Sequence, residues 1–162
     1  MSCSPLWKCP NCRRRFANRN QSHACGQHDL KHHFSGKSPE IRRLFDEVAA
    51  VIQRIGPVCV LPQKTRIAFQ VRMSFAQITP KSRWLDGHVV LARCFEHPRF
   101  RRIQTISPRN HVHSFRLTLR RDIDADFRSW LEEAYEVGKQ SHHAGRGKQE
   151  MERQRCSRPF SP

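Results

Sequence analysis

Cys9 and Cys12 stand as C-x2-C in WKCPNCRRRF, and His23 and Cys25 follow as H-x-C after ten intervening residues. Three thiolates and an imidazole in two close pairs are a donor set that tetrahedral Zn²⁺ takes. Each pair closes a short chelate, and the loop between them brings the second pair round. His28 is a nearby donor able to substitute for His23 or Cys25. A closed set of four leaves no position for water, so the chemistry it points to is structural and not hydrolytic. Redox exchange is the competing use of C-x2-C, and it needs a strand before the motif and a helix after it in a βαβ setting. The flanks of Cys9 and Cys12 read as neither. A c-type haem would need His directly after the second cysteine, where Arg13 stands.

A second group lies in SPRNHVHSF, where His111 and His113 share one face of a strand beside Arg109 and form a candidate anion site. Its competitor is a pair of satisfied, partly buried histidines. The chain holds no H-E-x-x-H, no G-x-S-x-G and no phosphate-binding glycine loop. Paired carboxylates for Mg²⁺ are not evident either, so the residues make no positive case for an enzyme.

Charge supplies the third signal. With 30 Lys and Arg against 14 Asp and Glu, the formal net charge is +16, which favours a polyanionic partner, nucleic acid first. The acids avoid two long stretches, residues 48–85 and 97–121. In TRIAFQV, alternation puts Lys64, Arg66 and Gln70 opposite Ile67, Phe69 and Val71. Arg116 points away from Phe115 and Leu117 in the same manner. Lys64, Arg66, Arg72 and Arg116 are therefore expected on an open sheet face, and Arg13, Arg14, Arg15 and Arg19 on the loop between the metal-ligand pairs. Phosphate contacts through such residues would be strongly salt-dependent. The strands lack the paired aromatics of an RRM, so base-specific reading of single strands is not expected. Two alternatives use the same residues: a small-anion-binding or enzymatic domain in which Lys64, Arg66, Arg109, His111 and His113 gather an anionic ligand, or an interaction module for an acidic protein partner.

The elements that must position these groups follow from periodicity. SPEIRRLFDEVAAVIQRIGP reads as a helix, with Ser38 as N-cap, Pro39 at the first position, Gly56 and Pro57 closing it, and Ile41, Leu44, Phe45, Val48, Ile52 and Ile55 on one stripe. Short β-rich runs occupy 58–119, punctuated by Pro62, Pro80, Asp86-Gly87, Pro98 and Pro108, as in an antiparallel meander. DIDADFRSWLEEAYEVG returns to helical spacing. The order implies an α+β fold, a two-layer sandwich of five to six antiparallel strands flanked by an N-terminal and a C-terminal helix.

Residues 1–37 are too poor in aliphatics for a core and form a small zinc-dependent module, 38–140 form the α+β domain, and 141–162 are expected to be a disordered basic tail. Seven cysteines, an odd count without a secretion signal, fit a reducing cytoplasm and not a disulfide framework. Cys59 and Cys94 lie in apolar runs and read as buried small hydrophobes. No run approaches the roughly 20 apolar residues of a membrane span, so no membrane partner is expected.

Taken together, WKCPNCRRRFANRNQSHACG, HFSGKSPEIRRLFDEV, GPVCVLPQKTRIAFQVRMSFA, LARCFEHPRFRRI, SPRNHVHSFRL and EEAYEVG resemble bacterial proteins carrying the domain of unknown function DUF5655. The resemblance covers roughly residues 6–140. It implies a small zinc ribbon or knuckle at Cys9, Cys12, His23 and Cys25, and no established reaction.

Overall fold

The computed structural model describes residues 6–21, 23, 25–26 and 28–140. Helix α1 runs Pro39–Ile55. It starts where Pro39, which needs no backbone partner at the first turn, follows an extended Ser38, and Glu40 sits in that turn beside the helix's positive end. Its buried stripe is Ile41, Leu44, Phe45, Val48 and Ile52. At its end the Tyr135 hydroxyl donates to the Pro57 carbonyl at 3.1 Å, tying α1 to the second helix. The Tyr135 ring comes so close to Gly56 that a β-carbon there would lie 2.9 Å from its Cζ.

Six strands follow: β3 Cys59–Pro62, β4 Ile67–Gln70, β5 Ser74–Pro80, β6 Leu85–Leu91, β7 Phe100–Ser107 and β8 Asn110–Leu117. All neighbours are antiparallel, in the order β3-β4-β5-β6-β8-β7. The sheet therefore departs from the expected meander at its end: the chain crosses to the edge for β7, and β8 returns between β6 and β7. Burial explains the exchange. In β8 the inward Phe115 and Leu117 are 2% and 0% exposed, whereas β7 is exposed along most of its length. The more apolar strand takes the interior position and the arginine-bearing one takes the edge.

Helix α2, Ala125–Gly138, is capped by Asp124, whose carboxylate accepts from the Phe127 amide at 2.9 Å. At its other end the Gly138 carbonyl accepts from the amides of Arg72 and Met73 in the β4–β5 turn, at 3.1 and 3.0 Å. Both helices pack on one face of the sheet, where Phe45, Ile52, Phe127 and Leu131 meet Ile67, Phe69, Ile78, Leu85 and Leu117. The protein is thus an α+β fold with a single helical layer, and the opposite face of the sheet is left for other contacts.

The N-terminal segment adds a two-stranded hairpin, β1 Trp7–Lys8 paired with β2 Arg15–Phe16. A short 3-10 turn at Leu30–Phe34 follows, with Asp29 accepting from the Lys31 amide. Leu30 and Phe34 pack against the core, and the Phe34 ring sits 5.1 Å from that of Phe45. Leu30 and Phe34, expected with the metal module, thus make contact with the core of the main domain. Cys94 is buried as expected, but it is disulfide-bonded where a free thiol was expected, and Cys59 is exposed on edge strand β3. No helix among the described residues is long and apolar enough to cross a membrane. The tail expected to be disordered lies outside the described residues.

Candidate metal centre and basic sheet face

The hairpin β1–β2 makes the first half of the candidate metal centre. Its turn is closed by the Cys9 amide donating to the Arg14 carbonyl and the Arg13 amide donating to the Cys9 carbonyl, each at 2.9 Å. Arg13 occupies the left-handed region at φ 59°, a conformation that favours glycine, so the turn is held against a local cost. That tight turn puts the Cys9 and Cys12 sulfurs on one side.

His23 and Cys25 complete the set, and the four donor atoms all lie within 4.8 Å of one another. Cys9 and Cys25 sulfurs are 3.8 Å apart. A regular tetrahedron with metal–sulfur bonds of about 2.3 Å has an edge of about 3.8 Å, so the spacing fits a four-coordinate metal. The Nε2 of His23 lies 3.2 Å from the Cys12 sulfur and 3.3 Å from that of Cys25. Its Nδ1 is 2.6 Å from the Gln21 carbonyl, which can only accept. Nδ1 therefore carries the proton, and the Nε2 lone pair faces the sulfurs, as a metal-binding imidazole requires. His28 is outside the four; its ring lies against Gly26. The Cys12 amide, ahead of the smaller influence of Asn11, draws the Cys9 thiol down to about 6, towards the thiolate a metal needs.

The hairpin has a small aromatic core of its own. Phe16 is 4% exposed and its ring lies 4.1 Å from that of His23, with Trp7 about 6 Å from both. Arg13, Arg15 and Arg19 are exposed. Arg14 instead turns inward, donates to the Gly26 carbonyl at 3.2 Å, and lines a cleft of about 250 Å³ between hairpin and sheet. His23, Leu61, Arg66 and Gln70 form other parts of its wall. Gln70, on the open face, donates its amide to the Arg15 carbonyl at 2.7 Å. The metal module thus sits on the open face of the sheet, over the β3–β4 end.

The rest of that face carries a groove of about 380 Å³. Its floor is one cross-strand row, in which Gln77 pairs with His88, His88 with Ser114, and Ser114 with Arg102. The next row pairs Thr79 with Asp86 and Asp86 with Arg116. Arg66, Arg101 and Arg102 edge the recess. Strict alternation would send Arg101 and Arg102 to opposite faces. A register shift between Phe100 and Arg102 keeps Phe100 in the core while both arginines line the groove.

Electrostatics divides these residues. Arg116 donates its Nε to Asp86 at 2.8 Å and stacks on Trp84, 4.1 Å from the ring centroid. Burial acts to raise the Asp86 carboxyl, but the hydrogen bond and charge of Arg116, with the nearby Trp84 indole, prevail and hold it below the usual range. Among the described residues, no ion pair involves Arg66, Arg101 or Arg102. Burial, helped by the field of Arg66, pushes His88 down to about 4, so this imidazole is neutral at physiological pH.

Of the residues expected on the open face, Arg66 and Arg116 are brought together in the groove. Lys64 projects from the β3–β4 turn, and Arg72 lies at the end of α2, where its side chain donates to Gln140. The anion site expected at Arg109, His111 and His113 is not assembled. His113 is fully buried, with Nδ1 donating to the His111 carbonyl and Nε2 accepting from the Phe95 amide. His111 is 8% exposed and lies between Thr105 and the Pro108 carbonyl. Both rings face the core with Phe115 and Leu117, and Arg109 stays in the turn before them. His88, Gln77 and Ser114 were not legible as site residues; polar alternation opposite Val89 and Phe115 is the signal that could have found them.

The family model described as Domain of unknown function (DUF5655) matches residues 30–138, two thirds of the chain. The chain belongs to that family. The match begins at Leu30, the first residue of the 3-10 turn packed on the core, and leaves the metal hairpin outside it. No curated protein and no solved structure matches the chain significantly.

Proposed function

We propose that this DUF5655 protein is a zinc-containing, non-enzymatic nucleic-acid-binding protein whose open sheet face receives the phosphates. The observation that carries the reading is the groove itself. Arg66, Arg101 and Arg102 converge on one recess without ion-pair partners among the described residues, and the groove contains a single acid, Asp86, already committed to Arg116. Guanidinium groups without carboxylate partners around a recess are the means by which a protein displaces counterions from a phosphate backbone. Arg13, Arg15 and Arg19 on the metal hairpin extend the basic surface.

Zinc is the metal that best suits three thiolates and one imidazole in a closed tetrahedral set. Cys9, Cys12, His23 and Cys25 would hold it, and its role there is to fold the hairpin, since no water position remains for hydrolysis. Thiols kept as ligands suit a reducing compartment such as the cytoplasm.

The test uses the full chain purified without added metal. Elemental analysis is expected to give about one zinc per chain. Fluorescence anisotropy with labelled nucleic acid at low salt is expected to show binding that weakens steeply as salt rises. Arg66→Glu and Arg102→Glu should each weaken it about tenfold, with a shallower salt slope. Arg72→Glu, away from the groove, should leave it unchanged. Absence of binding at low salt, or equal affinity in all three variants, defeats the reading.

A further inference from the structure

We propose that the nucleic acid is single-stranded, with base edges meeting the row Gln77, His88 and Ser114 while its phosphates follow the arginines at the rim. This rests on the nucleic-acid reading above and adds the form of the ligand.

The floor of the groove is chemically wrong for phosphate. The Gln77 Oε1 is buried and has no hydrogen-bond partner. It can only accept, and a phosphodiester has no hydrogen to give. The neutral His88 beside it makes no hydrogen bond among the described residues, and its imidazole offers one donor and one acceptor. Ser114 adds a hydroxyl on the next strand. Adjacent strands place these groups roughly 4.8 Å apart. A mixed row of donors and acceptors matches the amino, imino and carbonyl groups on a nucleobase edge. Phosphates are left to Arg66, Arg101 and Arg102 at the margin.

Arg116 completes the arrangement. Asp86 balances its charge and the Trp84 ring backs it from one side, so it serves poorly as a phosphate anchor and well as a plate. A guanidinium plane can stack a base in place of an aromatic ring. The stacking surface that paired strand aromatics do not provide is thus supplied by an arginine braced on a tryptophan.

The groove suits unpaired bases better than a duplex. Double-stranded DNA is read by an element inserted into a groove about 12 Å wide, whereas here the polar groups line a recess. Bases reach such a floor only when unpaired and splayed out. The groove also shares Arg66 with the cleft beneath the metal module, so the two recesses lie side by side.

Anisotropy with the full chain at low salt separates the possibilities, using a mixed-sequence 12-mer as DNA and RNA single strands and as a duplex. Single strands should bind about tenfold tighter than the duplex. Gln77→Ala, and Arg116→Lys, which keeps the charge and loses the plate, should each weaken single-strand binding several-fold without altering the salt slope; circular dichroism confirms folding. Equal or tighter binding of the duplex overturns this inference and leaves the nucleic-acid reading standing. So does single-strand binding indifferent to both variants but sensitive to Arg102→Glu. Failure of every probe to bind overturns the underlying reading as well.

Discussion

Gln70 and Arg15 are 55 residues apart in sequence and joined by a 2.7 Å hydrogen bond from the glutamine side chain to the arginine backbone carbonyl. Gln70 is 6% exposed, a buried polar group on strand β4, and Arg15 begins the second strand of the metal hairpin. The bond fixes where the hairpin sits on the sheet and gives the cleft between them its shape.

Gln70→Ala should therefore loosen the hairpin without unfolding the domain. Loss of one such bond costs about 1 kcal/mol, which for a chain of this size lowers Tm by about 2–4 °C. Hydrogen exchange should quicken at the amides of Cys9 and Arg13 while β5, β6 and β8 keep their protection. Unchanged exchange in the hairpin would show that other contacts hold it.

Removal of the metal should be a local event. Trp7 and Phe16 are nearly all the apolar surface the hairpin has, far too little to order it alone. A strong chelator should extract about one equivalent and abolish the near-ultraviolet dichroism of Trp7, while cooperative unfolding of residues 30–138 persists. Cys12→Ser should lose the metal; Cys59→Ser, altering an exposed thiol outside the set, should retain it. Global unfolding on chelation would contradict the separation between hairpin and domain.

The two halves of the site differed in how far the sequence revealed them. Cys9, Cys12, His23 and Cys25 were legible because a chelate is set by short-range spacing, and α1 because Ser38-Pro39 and its apolar stripe act locally. Alternation along β4 and β8 also placed Arg66 and Arg116 correctly, and it put His111 and His113 on the same face as Phe115 and Leu117. The groove was less legible because its walls depend on which strands become neighbours. Nothing local to FRRIQTIS says that β7 takes the edge, or that a bulge turns Arg101 and Arg102 to one side. Arg72 was misplaced for a related reason: it lies in a turn past the irregularity at Gln70, where alternation no longer applies.

Gly87, between the groove residues Asp86 and His88, faces the core and has little room. A β-carbon there would lie 2.7 Å from Phe115 Cζ and 2.8 Å from both the Gln77 carbonyl and Ile78 Cδ1. The carbonyl belongs to a paired strand and cannot swing aside. Gly87→Ala should cost about 1–3 kcal/mol in urea unfolding and disturb the Gln77–His88 row. A neutral result would mean that β5 and β6 can separate more readily than their register suggests.

Acid should unfold the protein in a window set by its buried histidines. Burial outweighs the bonds His113 makes and lowers its pKa to about 4, against an ordinary 6.5. The unfolded chain therefore binds more protons between those values, and the stability that His113 contributes above pH 6.5 is lost as pH falls towards 4. Complete titration of that single group corresponds to about 3 kcal/mol. His88 shifts to the same value, and His111 and His33 shift in the same direction, each chiefly through burial. Asp86 and Asp124 are held below their ordinary 3.8, so their stabilising effect is lost only at lower pH. Urea midpoints taken from pH 7.5 to 4.5 should fall in wild type and fall less in His113→Gln, whose side chain stays neutral. Metal release contributes equally to both proteins, so the difference between the two slopes isolates His113; parallel slopes would show that its ring is protonated in the folded state without penalty.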